Sequence, residues 1–310
     1  MPITTEAIGL VGVSKTYPGV QALDNISFSV AAGTVHGFLG PNGAGKSTTM
    51  NIITGLLRES SGSIRLMGKE CSPSERKKLI GYLPEQPPIY PQMIVKDYLQ
   101  FVCSLHGKKG ADANSSIERA VSSCGLGAVL NRMIGNLSKG FRQRVGIAQA
   151  LILGAEILIL DEPTVGLDPV SVSEIRDLIL GLRGKHTVLL SSHLLHEISL
   201  VCEDITMINH GKLVASGTQS EIQARFISGA RYILKADGLD KNLQAQLDSR
   251  FSITATEKEH SWVLNAKDKV AASEVLRFLV ESDAKVSEFY QEKVELEDIF
   301  KTAMKEGAQL

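Results

Sequence analysis

The nine residues from Gly40 to Thr48, Gly-Pro-Asn-Gly-Ala-Gly-Lys-Ser-Thr, constrain this chain more than any other stretch. They follow a short apolar run, Val35, Gly37, Phe38 and Leu39, and open a helix-forming segment. Strand, glycine-rich turn and helix in that succession make a phosphate cradle rather than a bland glycine turn. Gly40, Gly43 and Gly45 free the backbone so that the successive N–H groups after Pro41, from Asn42 and Ala44 through Thr48, can face phosphate oxygens. The helix aims its positive end at the same place. Lys46 supplies a mobile ammonium for the β- and γ-phosphates, and the Ser47 hydroxyl can join the shell of an accompanying magnesium.

A length of 310 residues favours two domains. Lys and Arg number 33 against 34 Asp and Glu, so bulk charge gives no case for nucleic acid or for an anionic membrane surface. Cys71, Cys103, Cys124 and Cys202 are scattered without metal spacing, which fits free thiols in a reducing compartment. The first residues lack a basic segment followed by an apolar one, so a secretory signal is not expected and the cytosol is. The most apolar stretch, Val145 to Leu160, is broken by Gln149 and Glu156 and is too short to span a bilayer.

Residues 8 to 30 read as two strands around Pro18-Gly19, forming an antiparallel sheet. Strands are expected at Ser63–Met67 and Ile80–Leu83, then a proline-rich break at 84 to 91. Helices follow over 94 to 150, with a polar gap near 107 to 114. Ile157–Leu160, Thr187–Ser191 and Ile205–Ile208 are short apolar strands separated by helices at 170 to 183 and 194 to 202, which implies a largely parallel sheet buried on both faces. Near residue 220 the character changes. Strand, helix, strand, strand, helix and strand, with a final helix at 294 to 305, suggest a small ferredoxin-like α+β domain. The domains are therefore placed at 1–220, with a helical part at about 86–150, and at 221–310.

Ile157 to Leu160 lead into Asp161, Glu162 and Pro163. An apolar strand holds Asp161 rigidly where it can orient magnesium and its waters, and Glu162 is placed to polarise an attacking water. Leu137-Ser138-Lys139-Gly140-Phe141-Arg142-Gln143-Arg144 ends 17 residues before Asp161. With these in order, the chain resembles the ATP-binding subunit of an ATP-binding cassette (ABC) transporter over roughly residues 8 to 220. The resemblance implies a P-loop NTPase cassette of α/β class, with a mixed sheet core, an antiparallel β subdomain and a helical subdomain. It implies that Tyr17 stacks on adenine, that Gly40–Thr48 is the Walker A loop, and that Asp161 and Glu162 are the Walker B pair. Ser138 and Gly140 match the signature that meets the opposite subunit's ATP, Gly166-Leu167-Asp168 the D-loop, and His193 the switch histidine.

Three departures stand out. The signature reads Leu-Ser-Lys-Gly-Phe, with Lys139 either neutralising phosphate charge or simply solvated; Val165 replaces a serine or alanine; and Glu85, with Gln86 beside it, takes the usual glutamine position as a magnesium contact. The resemblance further implies ATP and Mg2+ as cofactors, a head-to-tail homodimer or pseudo-symmetric heterodimer, and an integral membrane permease as partner. It places the chain at the inner face of the cytoplasmic membrane. The signature, the Ile80–Glu85 segment and an acidic stretch at Glu295–Phe300 look most like exporter subunits with a separate ABC-2-type permease, and segment 84–91 resembles the receiver of its coupling helix. The competing readings are a soluble cassette acting on ribosomes or DNA, an importer subunit, and a non-hydrolysing switch. Paired cassettes and long coiled-coil insertions are missing, the ending is mixed rather than β-rich, and Glu162 and His193 are retained.

Overall fold

The computed structural model describes residues 6–226, 230–237, 239–258, 261–266, 272–282 and 284–291. The expected helix at 294–305 and the acidic stretch Glu295–Phe300 lie outside them. The chain divides into two compact units between Gln219 and Ser220.

The first unit opens with β1 (Glu6–Tyr17) and β2 (Val20–Ala31), whose alternating pattern buries Leu23, Ile26, Phe28 and Val30. β3 (Val35–Leu39) is buried throughout and runs into α1 (Lys46–Ile53). β4 (Ser61–Leu66) and β5 (Lys69–Glu70) complete a four-stranded antiparallel sheet in the order β2-β1-β4-β5. α2 (Pro73–Leu79) precedes β6 (Ile80–Leu83).

Next come α3 (Val95–Leu105), α4 (Gly110–Ser123), two short 3-10 turns at Gly127–Val129 and Ile134–Asn136, and α5 (Lys139–Ile152). α4 takes up most of the expected polar gap, since only 107 to 109 lie outside it. β7 (Ile157–Asp161), α6 (Pro169–Leu182), β8 (Thr187–Ser192), α7 (Leu195–Val201), β9 (Asp204–Asn209) and β10 (Lys212–Thr218) follow, and α8 (Gln219–Phe226) begins at the division between the units.

The second sheet has the order β10-β9-β3-β8-β7-β6. It is parallel except for the β9–β10 hairpin. Met50, Ile52 and Ile53 of α1 share one core with Ile8, Phe28 and Val30 of the antiparallel sheet and Phe38, Ile159 and Leu189 of the parallel one. Burial on both sides of α1 fixes the phosphate loop to two sheets at once. α5 approaches the edge strand β6 so closely that a Cβ at Gly81 would lie 2.3 Å from the Ala150 carbonyl oxygen.

α2 is not foreseen by apolar periodicity. The Glu75 carboxylate accepts hydrogen bonds from the Ser72 N–H at 2.8 Å and hydroxyl at 2.6 Å, which starts the helix. Its buried side chain is Arg76, fully enclosed and paired with Glu59 at 2.9 Å. All four cysteines are free, and burial pushes the Cys124 thiol up to about 12.

The second unit holds β11 (Ala230–Asp237), α9 (Lys241–Phe251), β12 (Ile253–Lys258), β13 (Ser261–Ala266), α10 (Ala272–Glu281) and β14 (Lys285–Gln291). Its antiparallel sheet, β12-β13-β11-β14, has the ferredoxin-like order. Tyr232, Leu234 and Leu264 pack against Leu243, Leu247, Val275 and Leu279 of the helices.

Candidate active site

The cradle forms where β3 meets α1. Gly43 and Gly45 have φ of 80° and 107°, in the left-handed region closed to most side chains, and Gly45 caps α1. A Cβ added at Gly45 would come within 2.7 Å of the Leu23 side chain, whereas at Gly43 nothing lies within 4 Å. Lys46 folds back over the loop, its Nζ donating to the carbonyls of Gly40 at 2.8 Å and Pro41 at 3.3 Å. The same ammonium lies 3.3 Å from Glu162 Oε1, with both side chains under a tenth exposed, at 7% and 9%. Burial leaves that ion pair weakly screened.

Glu162 Oε2 is 2.8 Å from His193 Nδ1. An ionised carboxylate only accepts, so Nδ1 carries the hydrogen, and Nε2 can then donate to a phosphate only when the ring is protonated. Glu162 therefore bridges Lys46 on α1 to His193 just beyond β8. It does so from a left-handed backbone conformation, φ 49°, rare outside glycine. Its neighbours hold it there. The Glu162 N–H donates to Ser191 Oγ at 2.9 Å, and that hydroxyl donates to Asp161 Oδ1 at 2.5 Å. The Thr164 hydroxyl donates to Glu197 of α7, which ties down the chain beyond Pro163. Burial, with the Asp161 charge second, raises the Tyr82 phenol well above its usual value, so it stays protonated.

A cavity of about 630 Å³ opens over these groups. Lys46, Ser47, Thr48, Pro41, Asn42, Gly43, Gly45, Glu162, His193 and Glu85 all line it, whereas Gln86 does not. Val20, Gln21 and Ala22 from the β1–β2 hairpin, Val165, His210 and Gly211 complete the wall. Asp161 lies behind it, 2% exposed at the end of a fully buried β7. Tyr17 is 40% exposed at the end of β1 with the Lys15 ammonium 5.3 Å from its ring centre; it does not line the cavity, whereas its cross-strand partner Val20 does.

Ser138 and Gly140 stand apart from the cavity. Ser138 is exposed and caps α5, its Oγ accepting from the Phe141 N–H at 3.3 Å. Lys139 is committed within its own chain, Nζ donating to the Val165 carbonyl at 2.8 Å. Asp168 caps α6, and the Ser171 N–H at 3.0 Å and hydroxyl at 2.7 Å hold its carboxyl below the usual range. A Cβ at Gly140 would meet Ser171 Oγ at 2.6 Å, so the starts of α5 and α6 abut.

Ser191 and His210 carry no motif signal. Ser191 is found only by register, since β7 and β8 pair Asp161 with it. His210 is found only from the three-dimensional wall.

A triphosphate fits the donors present: an ammonium, loop N–H groups and a helix start. Among the described residues no three His, Cys, Asp or Glu side chains cluster into an ion cage. An exposed hydroxyl and two separate carboxylates suit a cation that keeps its waters and is shared with phosphates. No helix of the described residues is long and apolar enough to cross a membrane.

The ABC transporter family model matches residues 23–165, and a model for the C-terminal domain of DrrA1-3-like ATP-binding proteins matches residues 217–304. The uncharacterized ABC transporter ATP-binding protein YxlF of Bacillus subtilis is 30% identical over 94% of this chain and 98% of its own length. The daunorubicin/doxorubicin resistance ATP-binding protein DrrA of Streptomyces peucetius is 34% identical over 71% of this chain and 68% of its own. Among solved structures, cbiO1 from Clostridium perfringens, part of the ABC transporter complex cbiONQ, superposes with a TM-score of 0.66 at 25% identity, covering 79% of this chain and 96% of that one.

Proposed function

Because the chain belongs to the ATP-binding subunits of ABC transporters, ATPases of exporter type, we propose that it powers export through a separate ABC-2-type membrane permease by clamping ATP between two copies. The observation that carries the catalytic part is Glu162, joined to Lys46 at 3.3 Å and to His193 at 2.8 Å at one cavity wall. Lys46 exchanges its carbonyl and carboxylate partners for the β- and γ-phosphates. That exchange frees Glu162 to take a proton from the attacking water as the bond to the β–γ bridging oxygen breaks, giving ADP and phosphate. His193 orients the carboxylate and contacts the γ-phosphate. Tyr17, whose cross-strand partner Val20 lines the cavity, stacks on adenine. Ser47, Glu85 and Asp161 would hold Mg2+, which when bound neutralises charge on the transferred phosphoryl group.

Ser138 and the Gly140-bearing start of α5 lie outside the cavity of their own chain, which supports a partner's ATP as their ligand. The dimer is then head to tail, its two interfaces alike in a homodimer. The C-terminal match and the resistance protein among the relatives support export and a position at the inner face of the membrane.

Copurification from detergent-solubilised membranes tests the partner. A polytopic membrane protein retained with the chain, and ATP turnover lost in Lys46→Ala, are the expected results. Ribosomes or DNA recovered in its place would refute export.

A further inference from the structure

We propose that His210 is a nucleoside-binding residue, forming the wall that receives the ribose-and-base half of ATP. The proposal rests on the reading of the cavity as an ATP site and names a contact that the phosphate-binding groups do not provide.

His210 and Gly211 form the two-residue turn between β9 and β10, with φ of 46° and 75°. Two successive positive φ values are the pattern of a type I′ hairpin turn, for which asparagine then glycine is the favoured pair. The turn itself therefore has no need of an imidazole at its first position.

The turn is fixed to the phosphate loop by its backbone. The Gly211 N–H donates to the Ala44 carbonyl at 2.9 Å, and the Gly211 carbonyl accepts from the Asp24 N–H at 2.8 Å. A Cβ at Gly211 would stand 2.5 Å from the Ala22 carbonyl oxygen, so the close approach requires glycine. With its backbone so held, the His210 side chain lines the same cavity as Lys46.

Lys46, Glu162 and His193 mark the phosphate end of that cavity. Val20, Gln21 and Ala22 of the β1–β2 hairpin line the same cavity together with His210 and Gly211. A nucleotide whose terminal phosphate meets Glu162 directs its nucleoside there. An imidazole offers a ring face to a base and a nitrogen to a ribose hydroxyl, contacts for which inorganic triphosphate has no counterpart.

The test is calorimetric titration of the full chain with magnesium-ATP and, separately, with magnesium and inorganic triphosphate. His210→Gly and His210→Asn both suit the turn, so their melting temperatures should match or exceed the parent's. ATP affinity should fall about threefold to tenfold, the scale of one aromatic contact, while triphosphate affinity stays unchanged. Unchanged ATP affinity, or equal weakening of both ligands, would overturn the assignment. Lys46→Ala is the control for the site. If it weakens neither ligand, the cavity is not the ATP site, whatever His210 does.

Discussion

Replacing Glu162 with glutamine separates the two tasks that its carboxylate performs. The amide keeps the shape, and its oxygen can still accept from His193 Nδ1, now 2.8 Å away. The negative charge 3.3 Å from Lys46 Nζ disappears. Loss of a general base costs about 10²-fold to 10⁴-fold in turnover, or about 3–5 kcal/mol of barrier. Binding should move the other way. At an effective dielectric of about 20, two unit charges at that spacing attract by about 5 kcal/mol, and ATP must displace this pairing to engage Lys46. Hydrogen bonds to the Gly40 and Pro41 carbonyls survive the substitution, so only part of that sum is released. If a fifth of it is recovered, about 1 kcal/mol, ATP binds about fivefold tighter. Phosphate-release kinetics and equilibrium titration with magnesium-ATP read the two effects separately. Glu162→Gln turning over within about threefold of the parent, or binding ATP tenfold more weakly, would refute the assigned roles.

Glu59→Ala strands the enclosed Arg76 guanidinium, whose Nε and one terminal nitrogen already lack a partner, and should destabilise by about 3–5 kcal/mol in urea unfolding; a loss under 1 kcal/mol would contradict the pairing. Burial lowers His36 from 6.5 to about 4, so the folded chain binds fewer protons than the unfolded chain between those values. This contribution to stability is complete above pH 6.5 and is lost as pH falls towards 4, by about 3 kcal/mol in all; His36→Gln should flatten that part of the profile, and identical profiles would count against it. Lys139→Met removes the bond to the Val165 carbonyl on an exposed surface, so stability should change by less than about 0.5 kcal/mol while ATP turnover falls severalfold and Lys139→Arg restores it. Turnover unaffected by Lys139→Met would show that the contact is incidental.

Much of this was legible because the signals are local. The glycine-lysine turn between strand and helix, the unbroken apolar run into Asp161 and the alternation of β2 each announce an element within a few residues. α2 was not legible, because Pro-Ser-Glu-Arg-Lys-Lys-Leu has no apolar stripe and what it buries is an arginine. The first turn of α4 is hidden for the same reason, since Gly-Ala-Asp-Ala reads as a linker. Partners that depend on register or crossover are hidden from any window. Ser191 meets Asp161 only because β8 lies beside β7, and Lys139 reaches Val165 only because the starts of α5 and α6 abut. Glu85 and Gln86 are adjacent in the chain, and of the two Glu85 lies on the cavity wall.

The bare backbone at Gly81 has a mechanical corollary. With 2.3 Å between the position of an added Cβ and the Ala150 carbonyl oxygen, no side chain fits between the edge strand and α5 at position 81. A tilt of the rod that begins after Ser138 must drag the edge strand or break away from it, and the strand ends two residues before Glu85. If Ser138 and Glu85 serve the two nucleotide sites as proposed, this contact gears them together, and a larger residue at 81 would work as a wedge in the gear train.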